Sequence, residues 1–436
     1  MNSISAGVAR VIISPPVGIY LVGMERAESS HGLHDDLFAT AVAIKDGNTE
    51  LVILSVDILF FMPALIEAVQ KLVSAETGLP ASHIMFCATH CHSGPAPVAD
   101  QDRPQIEQVY TANLPYLLAG CIRMAHQNLK PAKMGFGNGK ARIGMNRRLT
   151  GPDGVTVIAG NPQRPIDEQV GVIRIDSLDG SPLAVFVNYA CHSVVLGNGS
   201  NVISRDWPGV MYDLVEKITG AKCLFIQGAA ADINPVPGEP TDRMELVYQL
   251  GTEIGGEVVK VWAGIETRAD LSIDVVNRQI LLPLEPVSKY ADQLPQLVEL
   301  EDAGGKLTLE NFMAWLYSMG SRPQQTIGDG DLKSVAINLQ AFQLGQTALV
   351  AVPAELFVKI GFAIKQATPQ FNTLVATYAN GSVGYVPLPE DYGLGGYEVL
   401  EAFYLYGLPA PFAPVTAKLI EQTAIELIGK LGQSHP

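Results

Sequence analysis

Thr89-His90-Cys91-His92-Ser93-Gly94-Pro95 follows directly on the apolar run Ile84-Met85-Phe86-Cys87-Ala88. A short apolar run closed by a turn signal reads as a strand. Side chains alternate along a strand, so His90 and His92 are expected to emerge on one face where the sheet runs out. Gly94 and Pro95 then turn the chain away. Two imidazoles at a strand's carboxyl end suit the holding of a metal ion or a proton, and packing alone seldom asks for them there.

Working outward, a third imidazole sits in an equivalent place. His192 follows the strand-like run Phe186-Val187-Asn188-Tyr189-Ala190-Cys191, with Gly197, Asn198 and Gly199 opening the loop beyond. Three histidines at strand ends favour a metal site of the hydrolytic kind, in which three protein ligands leave one position for water. His435 in the tail, His126 within a helical stretch and His83 at a strand's start are read as solvated or internally satisfied. A carboxylate is supplied by Val352-Pro353-Ala354-Glu355, which places Glu355 where an apolar strand meets a helix. An acid there also complements a helix dipole, so the local pattern leaves both roles open. Tyr385 lies in Asn380-Gly381-Ser382-Val383-Gly384-Tyr385, where glycines permit close backbone approach. In Gln227-Gly228-Ala229-Ala230-Ala231-Asp232-Ile233-Asn234-Pro235 small side chains make room for a neighbouring helix or for a substrate. Arg205-Asp206-Trp207-Pro208-Gly209, just before a helix, is a cap with an ion pair or a site wall. Cys91 and Cys191 alternate with their histidine neighbours and are expected to point into the core rather than toward a metal.

Short apolar runs alternate with amphipathic stretches for most of the chain. Strands are expected at 8–14, 38–44, 51–56, 84–88, 170–175, 183–189, 224–227, 336–342, 348–352 and 373–378. Helices are expected at 63–76, 105–127, 207–219, 242–263, 307–317, 355–366 and 415–431. This interleaving predicts an α/β (mixed α+β) fold, a mixed β-sheet core flanked by helices. The chain is read as a single domain over 1–436, with 286–331 as a lid or insertion. Gly135-Phe136-Gly137-Asn138-Gly139 has no helix after it and reads as a turn. No His-Glu-x-x-His, Gly-x-Ser-x-Gly, P-loop or strand-linked Gly-x-Gly-x-x-Gly is present.

Composition sets the outer bounds. With 47% hydrophobic and 17% charged residues over 436 positions, the chain has ample material for a deep core and cannot be largely disordered. A formal charge of −15 argues against nucleic acid or an anionic membrane as partner. No apolar run approaches a membrane span, so stable membrane insertion is not expected. Five cysteines without a CxxC pair, and a start lacking a basic, apolar leader, point to a cytoplasmic protein. Homo-oligomerisation is left open.

Taken in order, these pieces resemble the catalytic domain of the neutral/alkaline non-lysosomal ceramidase family. The resemblance begins at Gly7-Val8-Ala9-Arg10 and Ser14-Pro15-Pro16-Val17-Gly18. It continues through Gly32-Leu33-His34-Asp35, Ser55-Val56-Asp57, the Thr89 to Pro95 motif and Met145-Asn146-Arg147. It then takes in Ala190-Cys191-His192, the Ala231 to Pro235 segment, Pro353-Ala354-Glu355 and Gly384-Tyr385. It implies zinc ligation by His90, His192, Glu355 and Tyr385, with His92 and Asp232 behind them and Arg147 facing the substrate. Two departures qualify it. The family carries an essential serine in Gly-Asp-Val-Ser-Pro-Asn, where this chain has Asn234, which cannot be an alkoxide nucleophile but can donate to an oxyanion. The family also adds an immunoglobulin-like sandwich, for which no counterpart is expected here.

The expected function is therefore hydrolysis of a linear amide (N-acyl) bond in a small soluble substrate. Zn2+ would activate water, His92 or Asp232 would move the proton, Asn234 and Tyr385 would face the oxyanion, and Arg147 and Arg205 would grip the substrate. Ester or lactone hydrolysis at the same site, and a metal-containing binding protein without catalysis, stand as alternatives.

Overall fold

The computed structural model describes residues 3–433 apart from 25, 27, 48, 98–102, 237–241 and 291–323. The expected helix at 307–317 and most of the expected lid at 286–331 lie outside the described residues.

Ile84–Ala88 is the edge strand of an eight-stranded mixed sheet. Its order is Lys222–Gln227, Pro182–Tyr189, Gln169–Ser177, Lys130–Lys140, Ser5–Ile12, Phe38–Lys45, Glu50–Val56 and Ile84–Ala88. The pair at each edge runs parallel and the interior pairs are antiparallel. All five residues of Ile84–Ala88 are buried, as a strand covered on both faces requires. Ser55 Oγ donates to Phe225 O at 2.7 Å, and an Arg10 guanidinium nitrogen donates to Cys223 O at 2.6 Å. The sheet therefore curls until its two edges meet, which draws the loops after Ile84–Ala88 and Pro182–Tyr189 together.

A second sheet, in the order Ile273–Pro283, Ser334–Leu344, Thr347–Val352 and Asn372–Thr377, packs on one face of the first. Val42, Ile53, Met85, Phe186 and Ile226 meet Phe342, Leu349 and Leu374 between them. The opposite face of the large sheet is covered by Pro63–Thr77 and Gln105–Gln127 at one end and by Trp207–Thr219 and Arg243–Ala263 at the other. Val358–Ala367 and Thr416–Lys430 cover the outer face of the small sheet. The result is four layers, helices outside two stacked sheets, in agreement with the mixed α/β expectation.

The helix signals are local. Pro63 occupies the first turn of Pro63–Thr77, and Gly78 closes it at φ 71°. Asp242 accepts from Met244 N at the start of Arg243–Ala263.

Two expectations are corrected. The glycine stretch 135–139 is not a turn but the middle of the strand Lys130–Lys140. A Cβ at Gly135 would lie 2.1 Å from Glu266 O, and one at Gly137 would lie 2.8 Å from Ile265 and Val261 side-chain carbons. The glycines let the end of Arg243–Ala263 press onto the sheet. The helix expected from 355 begins instead at Val358. Glu355 is extended because Glu355–Leu356 pairs in parallel with Tyr385–Val386, with Glu355 N donating to Gly384 O at 2.9 Å.

Candidate metal centre

Strands Ile84–Ala88, Pro182–Tyr189, Thr347–Val352 and Asn372–Thr377 deliver their carboxyl ends to one place, the usual location of sites in sheets with parallel pairs. The strand before the first motif stops at Ala88, as expected, and His90 and His92 lie in the turn beyond it, so strand alternation does not set their direction. His90 takes the left-handed conformation at φ 60°, a strained state for a non-glycine residue that clusters at functional sites. The turn still brings the rings together, with centroids 4.5 Å apart for His90 and His92 and 4.8 Å for His90 and His192.

The imidazole atoms of His90, His92 and His192 available to a metal lie within 4.8 Å of one another, and all three residues are buried. Each Nδ1 faces backbone carbonyls: His90 to Leu59 O at 2.9 Å, His92 to Gly23 O at 2.9 Å, His192 to Ala230 O at 2.8 Å and Ile233 O at 3.0 Å. A carbonyl can only accept, so Nδ1 carries the proton and Nε2 presents its lone pair. The Nε2 atoms of His90 and His92 are buried without a hydrogen-bond partner. Burial pushes the pKa of all three below the ordinary range, that of His92 to about 3. Neutral rings, protons fixed on the far nitrogen and orphaned inward nitrogens are what a bound metal would satisfy. His92, expected to stand behind the metal, shares this cluster.

Glu355 completes the group. Its Oε2 lies 3.9 Å from His90 Nε2 and 3.7 Å from His192 Nε2. Tyr378 donates to Oε2 at 2.9 Å and Tyr406 donates to Oε1. Burial lifts the carboxyl to about 7, opposed by the Tyr406 hydrogen bond and the Arg147 charge. The cavity is lined by His90, His92, Glu355, Tyr385, Tyr397 and Tyr406, among others.

Arg147 comes from Gly144–Thr150, in a three-stranded sheet that the sequence reading missed. Asn146 pairs there with Ile233, and Arg147 N donates to Asp232 O at 2.8 Å. The guanidinium donates to Glu398 Oε1 at 2.8 Å, Tyr385 Oη at 3.0 Å and Asn234 Oδ1 at 3.1 Å. Arg147 also lies 3.4 Å from His192 Nε2, so Tyr385 and Asn234 are brought to the histidines through Arg147. Asp232 is buried with both oxygens engaged, by Asn146 at 2.7 Å and by Val358 N at 2.8 Å. It braces the loop against the helix start.

Arg205 is not brought to this cavity. Its guanidinium is taken by Asp35 at 2.6 Å and Asp213 at 3.3 Å and lies over the Phe38 and Tyr212 rings. An arginine beside a helix start reads identically in sequence whether it serves substrate or a buried acid. Cys91 and Cys191 are buried and free, as expected, with Cys91 Sγ donating to Ser204 O at 3.0 Å. Tyr378, Tyr397, Glu398 and Tyr406 were not singled out from sequence. No motif marks them, and only the tertiary fold assembles them.

Similarity to known proteins agrees with this geometry. The family described as "Neutral/alkaline non-lysosomal ceramidase, N-terminal" matches residues 5–230. Neutral ceramidase of Pseudomonas aeruginosa is 23% identical over 94% of this chain and 69% of its own length. Neutral ceramidase A of Dictyostelium discoideum is 24% identical over 53% of this chain and 36% of its own length. The crystal structure of the Pseudomonas aeruginosa neutral ceramidase superposes with a TM-score of 0.76 at 20% identity, covering 100% of this chain and 75% of that one, and so shares the fold. The chain belongs to the neutral/alkaline non-lysosomal ceramidase family, a family of hydrolases that cleave an amide bond.

Proposed function

We propose that the protein is a zinc-dependent hydrolase that cleaves a linear N-acyl bond in a small soluble substrate. The observation that carries this reading is the convergence of three neutral imidazoles and Glu355 in one buried cluster beside Arg147 and Asn234. His90, His192 and Glu355 would hold the metal, with His92 and Tyr385 in reach. When bound, zinc polarises the scissile carbonyl and lowers the pKa of its water to about 7.

This chain's residues supply the rest. Asn234 has its Oδ1 occupied by Arg147, so its amide N–H groups are the ones left to meet a developing oxyanion. Arg147 is held by Glu398 and Tyr385, which fixes its direction and keeps its charge beside the reacting carbonyl. His92, whose Nδ1 faces Gly23 O and whose Nε2 is turned inward without a partner, is the proton-handling group at the cavity. No serine is needed as nucleophile when water is activated in this way. The described cysteines are free, which suits a reducing, cytoplasmic setting. Among the described residues no helix is long and apolar enough to cross a membrane.

The test is a turnover screen of zinc-loaded protein against short N-acyl amines, N-acyl amino acids, esters and lactones. Amide turnover abolished by chelation supports the reading. Turnover confined to esters or lactones reassigns the leaving group, and no turnover of any of them contradicts an enzyme.

A further inference from the structure

We propose that Tyr378 is the positioning residue that sets two metal-holding side chains, His90 and Glu355, against each other. This rests on the metal reading given above. Tyr378 is fully buried and adopts φ 53°, which an aromatic residue takes only where the surroundings impose it. Its ring stacks on the His90 imidazole with centroids 3.8 Å apart and planes 22° apart. Its hydroxyl donates to Glu355 Oε2, the same oxygen that faces the Nε2 atoms of His90 and His192.

The backbone of Tyr378 makes the matching connections. Tyr378 O accepts from Ala88 N at 3.2 Å, at the end of the strand that leads to His90. Tyr378 N donates to Ala354 O at 3.4 Å, beside Glu355. One residue therefore fixes the separation of two strand ends and, at the same time, the orientation of the ring and carboxylate they carry. Tyr406 holds the other oxygen of Glu355, so both oxygens are anchored and Oε2 stays beside the Nε2 atoms of the histidine cluster. Partners behind metal ligands typically contribute 10–100-fold to metal affinity.

Zinc affinity, measured by competition with a chromophoric chelator, tests this in the parent, Tyr378→Phe, Glu355→Ala and the double variant, with apo-protein unfolding recorded for each. The Phe substitution keeps the ring and removes the hydroxyl. The expected result is a tenfold or greater loss of zinc affinity in Tyr378→Phe. In the Glu355→Ala background the same substitution should change affinity less than twofold, because its route to the metal is gone. Equal factors in both backgrounds, or parent-like affinity in Tyr378→Phe, would overturn the assignment while leaving the metal site standing. A parent chain that takes up no zinc removes the metal reading and this inference with it. If Tyr378→Phe does not fold, replacement of Tyr378 by 4-methylphenylalanine, which keeps the ring but has no donor, is read by the same criteria.

Discussion

Cys91 and Ser193 form a parallel β-bridge, and His92 N donates to Ser193 O at 3.4 Å. The bridge lies between two loops about a hundred residues apart in sequence. It sets His90 and His92 in register beside His192, so the triad is built by backbone pairing as well as by side chains. Trp207 locks the second loop, its indole donating to His192 O at 3.0 Å. Trp207→Phe removes that donor from a buried carbonyl. It should lower the thermal midpoint and weaken zinc binding several-fold, as differential scanning fluorimetry and chelator competition would show. Unchanged zinc affinity would free His192 from this support.

Asn234 is predicted to act on the reaction and not on the metal. Asn234→Ala should leave zinc content at the parent value and lower kcat by about 10²-fold, the scale of losing one oxyanion donor. Steady-state kinetics on the best amide from the screen would check it, and an unchanged kcat would contradict the role.

Gly135 is predicted to matter for stability alone. A methyl group there meets a backbone oxygen at 2.1 Å, so strand and helix end must separate. Gly135→Ala should cost about 1–3 kcal/mol by overpacking. Denaturant unfolding would show the loss, with zinc affinity unchanged.

Asp57 gives a pH signature. Burial pushes its carboxyl up to about 6, partly opposed by the charge of Arg205 and by the hydrogen bond from Phe38 N. An unfolded aspartate titrates near pH 4. Between about pH 4 and 6 the unfolded chain ionises while the folded chain keeps its proton, so this group lowers stability as pH rises and adds nothing further above the folded value. The stability of the parent relative to Asp57→Asn should therefore fall by on the order of 2–3 kcal/mol from pH 4 to 6 and then stay level. A flat difference across that interval would contradict the shift.

Much of this was legible in the sequence because it is local. Ile84–Ala88, Gln105–Gln127 and Trp207–Thr219 have the bounds expected from their runs and turn signals. The strand-end positions of His90, His192 and Glu355 pointed to a shared site. Lys130–Lys140 escaped because its glycines read as a turn, while their purpose, admitting a helix end, lies 130 residues away in the chain. Arg205 misled because a salt bridge to Asp35 leaves no pattern distinct from a substrate contact. Tyr378 and Tyr406 could not be found from spacing at all: Tyr378 reaches Glu355 because the strand before it, Asn372–Thr377, pairs in parallel with Thr347–Val352, and Tyr406 arrives from the end of the short helix Ala402–Leu405.

The central claim is tested most directly by metal content per chain. Purified protein equilibrated with zinc and freed of excess should hold one zinc per chain by elemental analysis. His90→Ala and His192→Ala, folded by circular dichroism, should each fall below a tenth of that and lose amide turnover. Parent-level zinc and turnover in both variants would contradict the account.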